Sequence, residues 1–316
     1  MGIFTITGGA GFIGSHLADA LLAAGQRVRV LDDFSTGKRE NIDTRCEVIE
    51  ADVRDRDALL RAIAGVSGVF HLAAIASVER TNREWLFTHS VNQSGSIAVF
   101  DVARELGGLP VVYASSAAVY GDIGGTVARE SLPTQPLTAY GVDKLGSEMH
   151  ARVGWALHQV PSVGLRFFNV YGPRQDPASP YSGVISIFAR LARDGQTLTV
   201  HGDGGQTRDF VYVADVVAHL RAAMGYLWRE GGASVFNVCT GHSVTVLELA
   251  RTALAASGRT DAAIQHGPAR PGDIRLSQGD PSSAQAKLGV SALVTLVDGL
   301  RETLTCEPAA ACRTPV

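Results

Sequence analysis

The stretch TITGGAGFIGSHLADALLAAG, residues 5–25, constrains this chain more than any other. An apolar run leads into three glycines spaced three apart, Gly8, Gly11 and Gly14, and a helical pattern follows at once. Glycine is conformationally expensive, so three in one short turn need a reason. A strand, a glycine-rich turn and a helix supply one. Gly8 permits the tight turn, Gly11 lets the backbone approach an anionic group, and Gly14 allows close helix–strand packing. The N–H groups at the helix N-terminus then face a phosphate. The spacing is GxxGxxG rather than GxGxxG, so the position between strand and helix carries the inference.

The rest of the first half repeats this alternation. Strands are expected at 2–7, 27–32, 47–52, 68–74, 110–116 and 162–170. Helices are expected at 13–24, 56–65 and 85–106, and from about Tyr140 onward. Strand and helix at this spacing give βαβ units and a parallel sheet with right-handed crossovers. The expected fold class is α/β, a doubly wound parallel-sheet Rossmann domain with a smaller, mixed α/β C-terminal substrate domain. The first spans 1–170, with returns to the main sheet near 207–241. The second takes 171–206 and 242–305, and 306–316 reads as a frayed tail.

With 316 residues, 46% of them hydrophobic, the chain can bury a sizeable core. A formal net charge of −3 without long single-sign runs argues against nucleic-acid or membrane-surface partners. Cys46, Cys239, Cys306 and Cys312 are scattered and form no CxxC pair, so neither a disulfide framework nor a metal site is expected. No basic, apolar leader opens the sequence, and the expected location is cytoplasmic.

An acidic residue about 20 positions beyond the glycine turn accepts hydrogen bonds from a ribose and repels a 2′-phosphate. Asp32 stands 18 residues after Gly14, followed by Asp33, which favours NAD. Nearby Lys38 and Arg39 leave tolerance of NADP open. Asp52, closing the third strand, is a further candidate for the adenosine end. Tyr140 and Lys144 are four apart in AYGVDKLGSE and share a helix face, with Ser116 at the end of the fifth strand. A cationic lysine beside a phenol, together with a nicotinamide cation, is expected to lower the phenol pKa and make it a base for a sugar hydroxyl.

These stretches, with LDDFSTG, ADVRD, HLAA, SSAAVYG, RFFNVYGPRQ, GDGGQTRDFVYVADV and RPGD, resemble the extended short-chain dehydrogenase/reductases, and within them the nucleotide-sugar 4-epimerases. The resemblance runs from Thr5 to about Gly289. It implies a catalytic set of Ser116, Tyr140 and Lys144. It implies NAD contacts from Gly8, Gly11, Phe12, Ile13, Asp32, Asp33, Ser35, Thr36, Gly37, Asp52, Val53, Leu72, Ala73, Ala74, Tyr140, Lys144 and Phe167. For a UDP-sugar it implies Ser77, Ser116, Asn169, Val184, Arg208, Arg270, Asp273 and Ser277. Before VYG, related dehydratases carry an Asp-Glu pair and related decarboxylases a Glu. Here Ala117 and Ala118 stand, which argues against both activities. In the epimerases that the chain resembles, the position seven residues beyond the RxGD arginine lines the hexose pocket; here that is Ser277, and the resemblance implies room for an N-acetyl group, so UDP-GlcNAc and UDP-GalNAc join UDP-glucose and UDP-galactose as candidates. A UDP-glucuronate 4-epimerase and a non-catalytic NAD(P)-binding sensor are the alternatives. Many relatives form homodimers through two helices per subunit, here 85–106 and 140–158.

Overall fold

The apolar runs become parallel strands because helices cover both faces of the sheet they form. The computed structural model describes residues 2–176, 183–259, 262–269 and 274–305. The first half contains β1 (Ile3–Thr7), α1 (Phe12–Ala23), β2 (Arg27–Asp32), β3 (Glu47–Glu50), α2 (Arg56–Ile63), β4 (Gly68–His71), α3 (Val78–Arg83), α4 (Trp85–His89), α5 (Gly95–Glu105), β5 (Val111–Ser116), α6 (Ala139–His158) and β6 (Ser162–Phe167). A π-helical turn, Ser90–Ser94, joins α4 to α5. The second half contains β7 (Asn169–Tyr171), α7 (Val184–Arg193), β8 (Leu198–His201), β9 (Thr207–Tyr212), α8 (Val213–Glu230), β10 (Ala233–Val238), β11 (Ser243–Thr245), α9 (Val246–Ser257), β12 (Ile264–Gly267), α10 (Ser282–Leu288) and α11 (Leu296–Thr305).

Among the described residues, seven strands form the large sheet, in the order β10-β6-β5-β4-β1-β2-β3, every neighbouring pair parallel. The chain lays β1, β2 and β3 outward to one side, then returns to the other side of β1 for β4, β5 and β6. The crevice above the C-terminal ends of β1 and β4 is where such sheets bind ligands. One apolar cluster joins α1 and α8 to one face, through Leu17, Leu21, Leu220 and Met224 against Phe4, Ile6 and Phe70. A second joins α2 and α5 to the other, through Leu59, Ile63, Val99 and Phe100 against Leu31, Val69 and Tyr113. A third, around Tyr171, Phe188, Phe210, Tyr212 and Leu249, forms the core beneath α7, α9 and α11.

Two sequence expectations need correction. The strand expected over 162–170 breaks at Phe168, with β6 in the large sheet and β7 in a separate three-stranded sheet of order β11-β9-β7. Residues 207–212 do not return to the large sheet: β9 pairs with β7 in parallel and with β11 antiparallel. The reason is that the open edge of β6 is taken by β10, Val238 pairing with Phe167. The buried Asp209 side chain on β9 is held instead by the loop that leads into β11, accepting from Thr240 N at 2.8 Å and Gly241 N at 3.0 Å. β8 and β12 form a further two-stranded parallel sheet that the sequence pattern did not reveal.

Candidate active site

The glycine turn is built as its spacing requires. Gly8 has φ +72°, and a Cβ there would lie 2.6 Å from the backbone N of Ala73. A Cβ on Gly14 would lie 2.2 Å from the carbonyl oxygen of Gly8, so α1 can pack this tightly on the turn only with glycine. Gly11 is the N-cap of α1 and receives no side-chain cap, and the first turn holds no acidic residue. A Cβ on Gly11 would approach only the Gly8 oxygen, at 3.3 Å, so its outward side is open. The helix N-terminus therefore presents N–H groups and a positive dipole end to the crevice.

Asp32 closes β2 and is buried. Its Oδ2 accepts from Ala10 N and its Oδ1 from Phe34 N, both at 2.9 Å, and burial raises its pKa against those two bonds. Gly8, Gly11, Asp32, Asp33, Ser35, Thr36, Gly37, Asp52, Val53, Leu72, Ala73 and Ala74 together line one cavity of about 100 Å³. Ile75 and Val91, which sequence reasoning missed, line it too. Asp33 is engaged locally, accepting from Ser35 N at 2.9 Å. Asp52 is clamped by Arg54, whose Nε donates to it at 2.9 Å, and that pairing lowers its pKa. An open glycine turn, an uncapped helix N-terminus and a carboxylate at the end of β2 fit the pyrophosphate and ribose of a dinucleotide. Phe12 and Ile13 stand in the first turn of α1 but pack against the second-half core rather than lining this cavity.

A second cavity, of about 330 Å³, opens above β5 and β6. Ser116, Phe167, Asn169, Arg208 and Ser277 line it, so four elements far apart in sequence meet there. Tyr120, Thr138, Leu276 and Gln278 also line it and were not singled out from the sequence. Arg208 Nη1 donates to the carbonyls of Thr207 and Ile274, both at 2.7 Å, which fixes the guanidinium at the wall. Asn169 Nδ2 donates to Asp209 O at 3.2 Å. Ser77 is elsewhere engaged as the N-cap of α3, accepting from Arg80 N at 3.0 Å, and Val184 packs on the third core as the first residue of α7. Arg270 and Asp273 lie outside the described residues.

Tyr140 and Lys144 sit at the start of α6, whose N-cap Thr138 accepts from Gly141 N at 3.1 Å. Lys144 is buried; its Nζ donates to Ala114 O on β5 at 2.9 Å and stands 5.6 Å from the centre of the Tyr140 ring. Ser116 hydrogen-bonds the Tyr140 phenol and holds its pKa down, but burial outweighs that bond and pushes the phenol up to about 12. Burial also lowers Lys144 to about 8. The expectation is of Lys144 acting together with a nicotinamide cation; within the chain alone, burial outweighs the Ser116 bond and raises the phenol, while the ammonium is bonded to Ala114 O. A cationic ring bound beside the phenol is the remaining source of a downward shift.

Fold and site together define an enzyme that binds a dinucleotide across a parallel sheet, with Ser116, Tyr140 and Lys144 gathered where β5 ends and α6 begins. The chain belongs to the NAD dependent epimerase/dehydratase family, whose profile matches residues 4–239. It is 37% identical over 306 residues to a UDP-glucose 4-epimerase of Mycolicibacterium smegmatis, covering 95% of this chain and 96% of that one. Among solved structures it is similar to a UDP-glucose 4-epimerase from Thermotoga maritima with UDP-glucose, at 34% identity and TM-score 0.89, covering 96% of this chain and 97% of that one. It is likewise similar to a UDP-N-acetylglucosamine 4-epimerase from Methanobrevibacter ruminantium in complex with UDP-N-acetylmuramic acid, at 32% identity and TM-score 0.90, with the same coverage.

Proposed function

We propose that this chain is an NAD-dependent 4-epimerase of UDP-hexoses, acting on UDP-glucose and UDP-galactose and also admitting their N-acetylated counterparts. The observation that carries the reading is the lining of the second cavity. Ser116, hydrogen-bonded to Tyr140, and Arg208 both line it, while methyl groups of Ala117 and Ala118 occupy the positions between Ser116 and Val119-Tyr120-Gly121. A hydroxyl and a phenol can hold and move the proton of a sugar O4, but two methyl groups cannot remove a proton from C5 or assist loss of a carboxylate.

NAD, when bound over the glycine turn, supplies a reversible hydride acceptor for C4 of the sugar. Ser116 orients the O4 hydroxyl, Tyr140 takes its proton and gives it back, and Lys144 holds the nicotinamide ribose. Arg208 pairs with the diphosphate through its guanidinium fork. The 4-keto sugar turns over in the site and takes its hydride back on the opposite face of C4, so that C4 is inverted when Tyr140 returns the proton to O4. Ser277 lines the sugar cavity with a small side chain, which supports acceptance of a C2 N-acetyl group. The molecule is further proposed to work as a homodimer through α4–α5 and α6.

The test is proton NMR of the anomeric region after incubating purified protein separately with UDP-glucose, UDP-GlcNAc and UDP-glucuronate, without added cofactor. The expected result is galacto-configured product from the first two. Conversion of UDP-glucuronate alone would replace the substrate assignment, and turnover undiminished in Tyr140→Phe would overturn the mechanism.

A further inference from the structure

Glu148 lies on α6 one turn beyond Lys144 and two beyond Tyr140, so all three share a face of the helix. It is buried, and it forks with the equally buried Arg166 on β6, Nε to Oε1 at 2.9 Å and Nη2 to Oε2 at 2.7 Å. The hydroxyl of Ser115, one residue before Ser116 on β5, donates to the same carboxylate. The third Arg166 nitrogen, Nη1, donates to the Tyr120 hydroxyl at 2.9 Å, and that hydroxyl donates to Asn237 Oδ1 on β10 at 2.7 Å. Asn237 Nδ2 in turn donates to Ala128 O at 2.8 Å. Ala128 is laced to the cavity wall by two backbone bonds, its own N to Gln278 O and Asp280 N to its oxygen, both at 2.9 Å. Burying a charge pair is costly and is repaid only by complete hydrogen bonding, which this set achieves.

We propose that Glu148, Arg166, Tyr120 and Asn237 form one relay that holds the phenol-bearing helix α6 in register with the wall segment 277–280 of the sugar cavity. Glu148 and Tyr120 are then positioning residues for the reaction. This rests on Tyr140 acting as the base. The hydrogen bonds run without a break from the helix to the wall, each member bonded to the next.

The test uses Glu148→Gln and the milder Tyr120→Phe in the full-length protein. Glu148 does not line the cavity, so its substitution is expected to lower kcat roughly tenfold or more while KM stays within about twofold, the pattern of a misplaced base with binding intact. In the double variant the two losses should not multiply, since both cut one chain. Independently of turnover, hydrogen exchange at the amides of Ala128 and Asp280 should accelerate in Glu148→Gln although that residue is at the far end of the relay. Losses that multiply, or exchange at 128 and 280 unchanged in both variants, would overturn the relay. If the wild type turns over no UDP-sugar, the reading of Tyr140 fails, and the exchange result still decides the relay.

Discussion

At the scale of single residues, His71 shows how a site is held by a group with no part in its chemistry. It ends β4, beside Leu72 and Ala73 of the cofactor cavity. Its Nδ1 lies 2.7 Å from Thr7 Oγ1 and its Nε2 3.0 Å from Ser96 Oγ. Ser96 donates to Asn92 O at 2.5 Å, so Nε2 must carry the ring proton and Nδ1 must accept from Thr7. A second proton would destroy that arrangement, and burial lowers the imidazole from 6.5 to about 3. The unfolded chain binds a proton at this residue below about 6.5 and the folded chain does not until far lower. The stability it contributes is therefore present above pH 6.5 and lost as pH falls below it. Between pH 7 and pH 5 one such group removes roughly 2 kcal/mol. In urea unfolding, His71→Gln should be less stable than wild type at pH 7 but should lose about that much less between the two pH values. An equal loss in both proteins would mean that His71 is not the neutral, buried group described here.

At the scale of elements, α6 carries the chemistry at its first turn, where helices fray unless capped. Thr138 supplies the cap and also lines the sugar cavity. Thr138→Ala should cost about 1 kcal/mol of stability. Because Tyr140 is only two residues into that turn, kcat should fall by more than the loss of folded protein explains. Thermal melts and single-turnover rates measure the two effects separately, and an unchanged rate with a lowered melting point would confine Thr138 to the fold. Elements of this kind were legible in the sequence because their signals are local. The glycine spacing, the four-residue step from Tyr140 to Lys144 and the run ending in Asp32 each lie within one segment. What escaped was non-local. That β6 stops at Phe167 depends on which strand takes its edge, and β10 lies some 65 residues further on. Nothing near Glu148 reveals Arg166 or Tyr120 as its partners. The surroundings of the phenol escaped for the same reason: helix spacing places Lys144 near Tyr140, but only the fold shows the phenol buried and the ammonium bonded to Ala114 O.

At the scale of the whole molecule, the outer faces of the helices that bear the site are strongly apolar. On α6, Val142, Met149, Val153 and Leu157 recur at helical spacing and are exposed, Leu157 to 71%. On α4, which packs against α6, Trp85 is 67% and Leu86 82% exposed, with Phe87 beside them. A contiguous apolar stripe on two adjacent helices is what an association surface requires, and it lies on the helices through which a homodimer is proposed above. A twofold interface is isologous, so each side chain contributes twice and a single substitution is felt twice. Met149→Arg with Val153→Arg would place four guanidinium groups against one another across the axis. The wild type should sediment with twice the mass of one chain and the double variant with the mass of one. Because α6 also carries Tyr140 and Lys144, loss of the partner should lower kcat as well as mass. A wild-type protein of single-chain mass at micromolar concentration would show that the stripe has another purpose, while leaving the site within the chain intact.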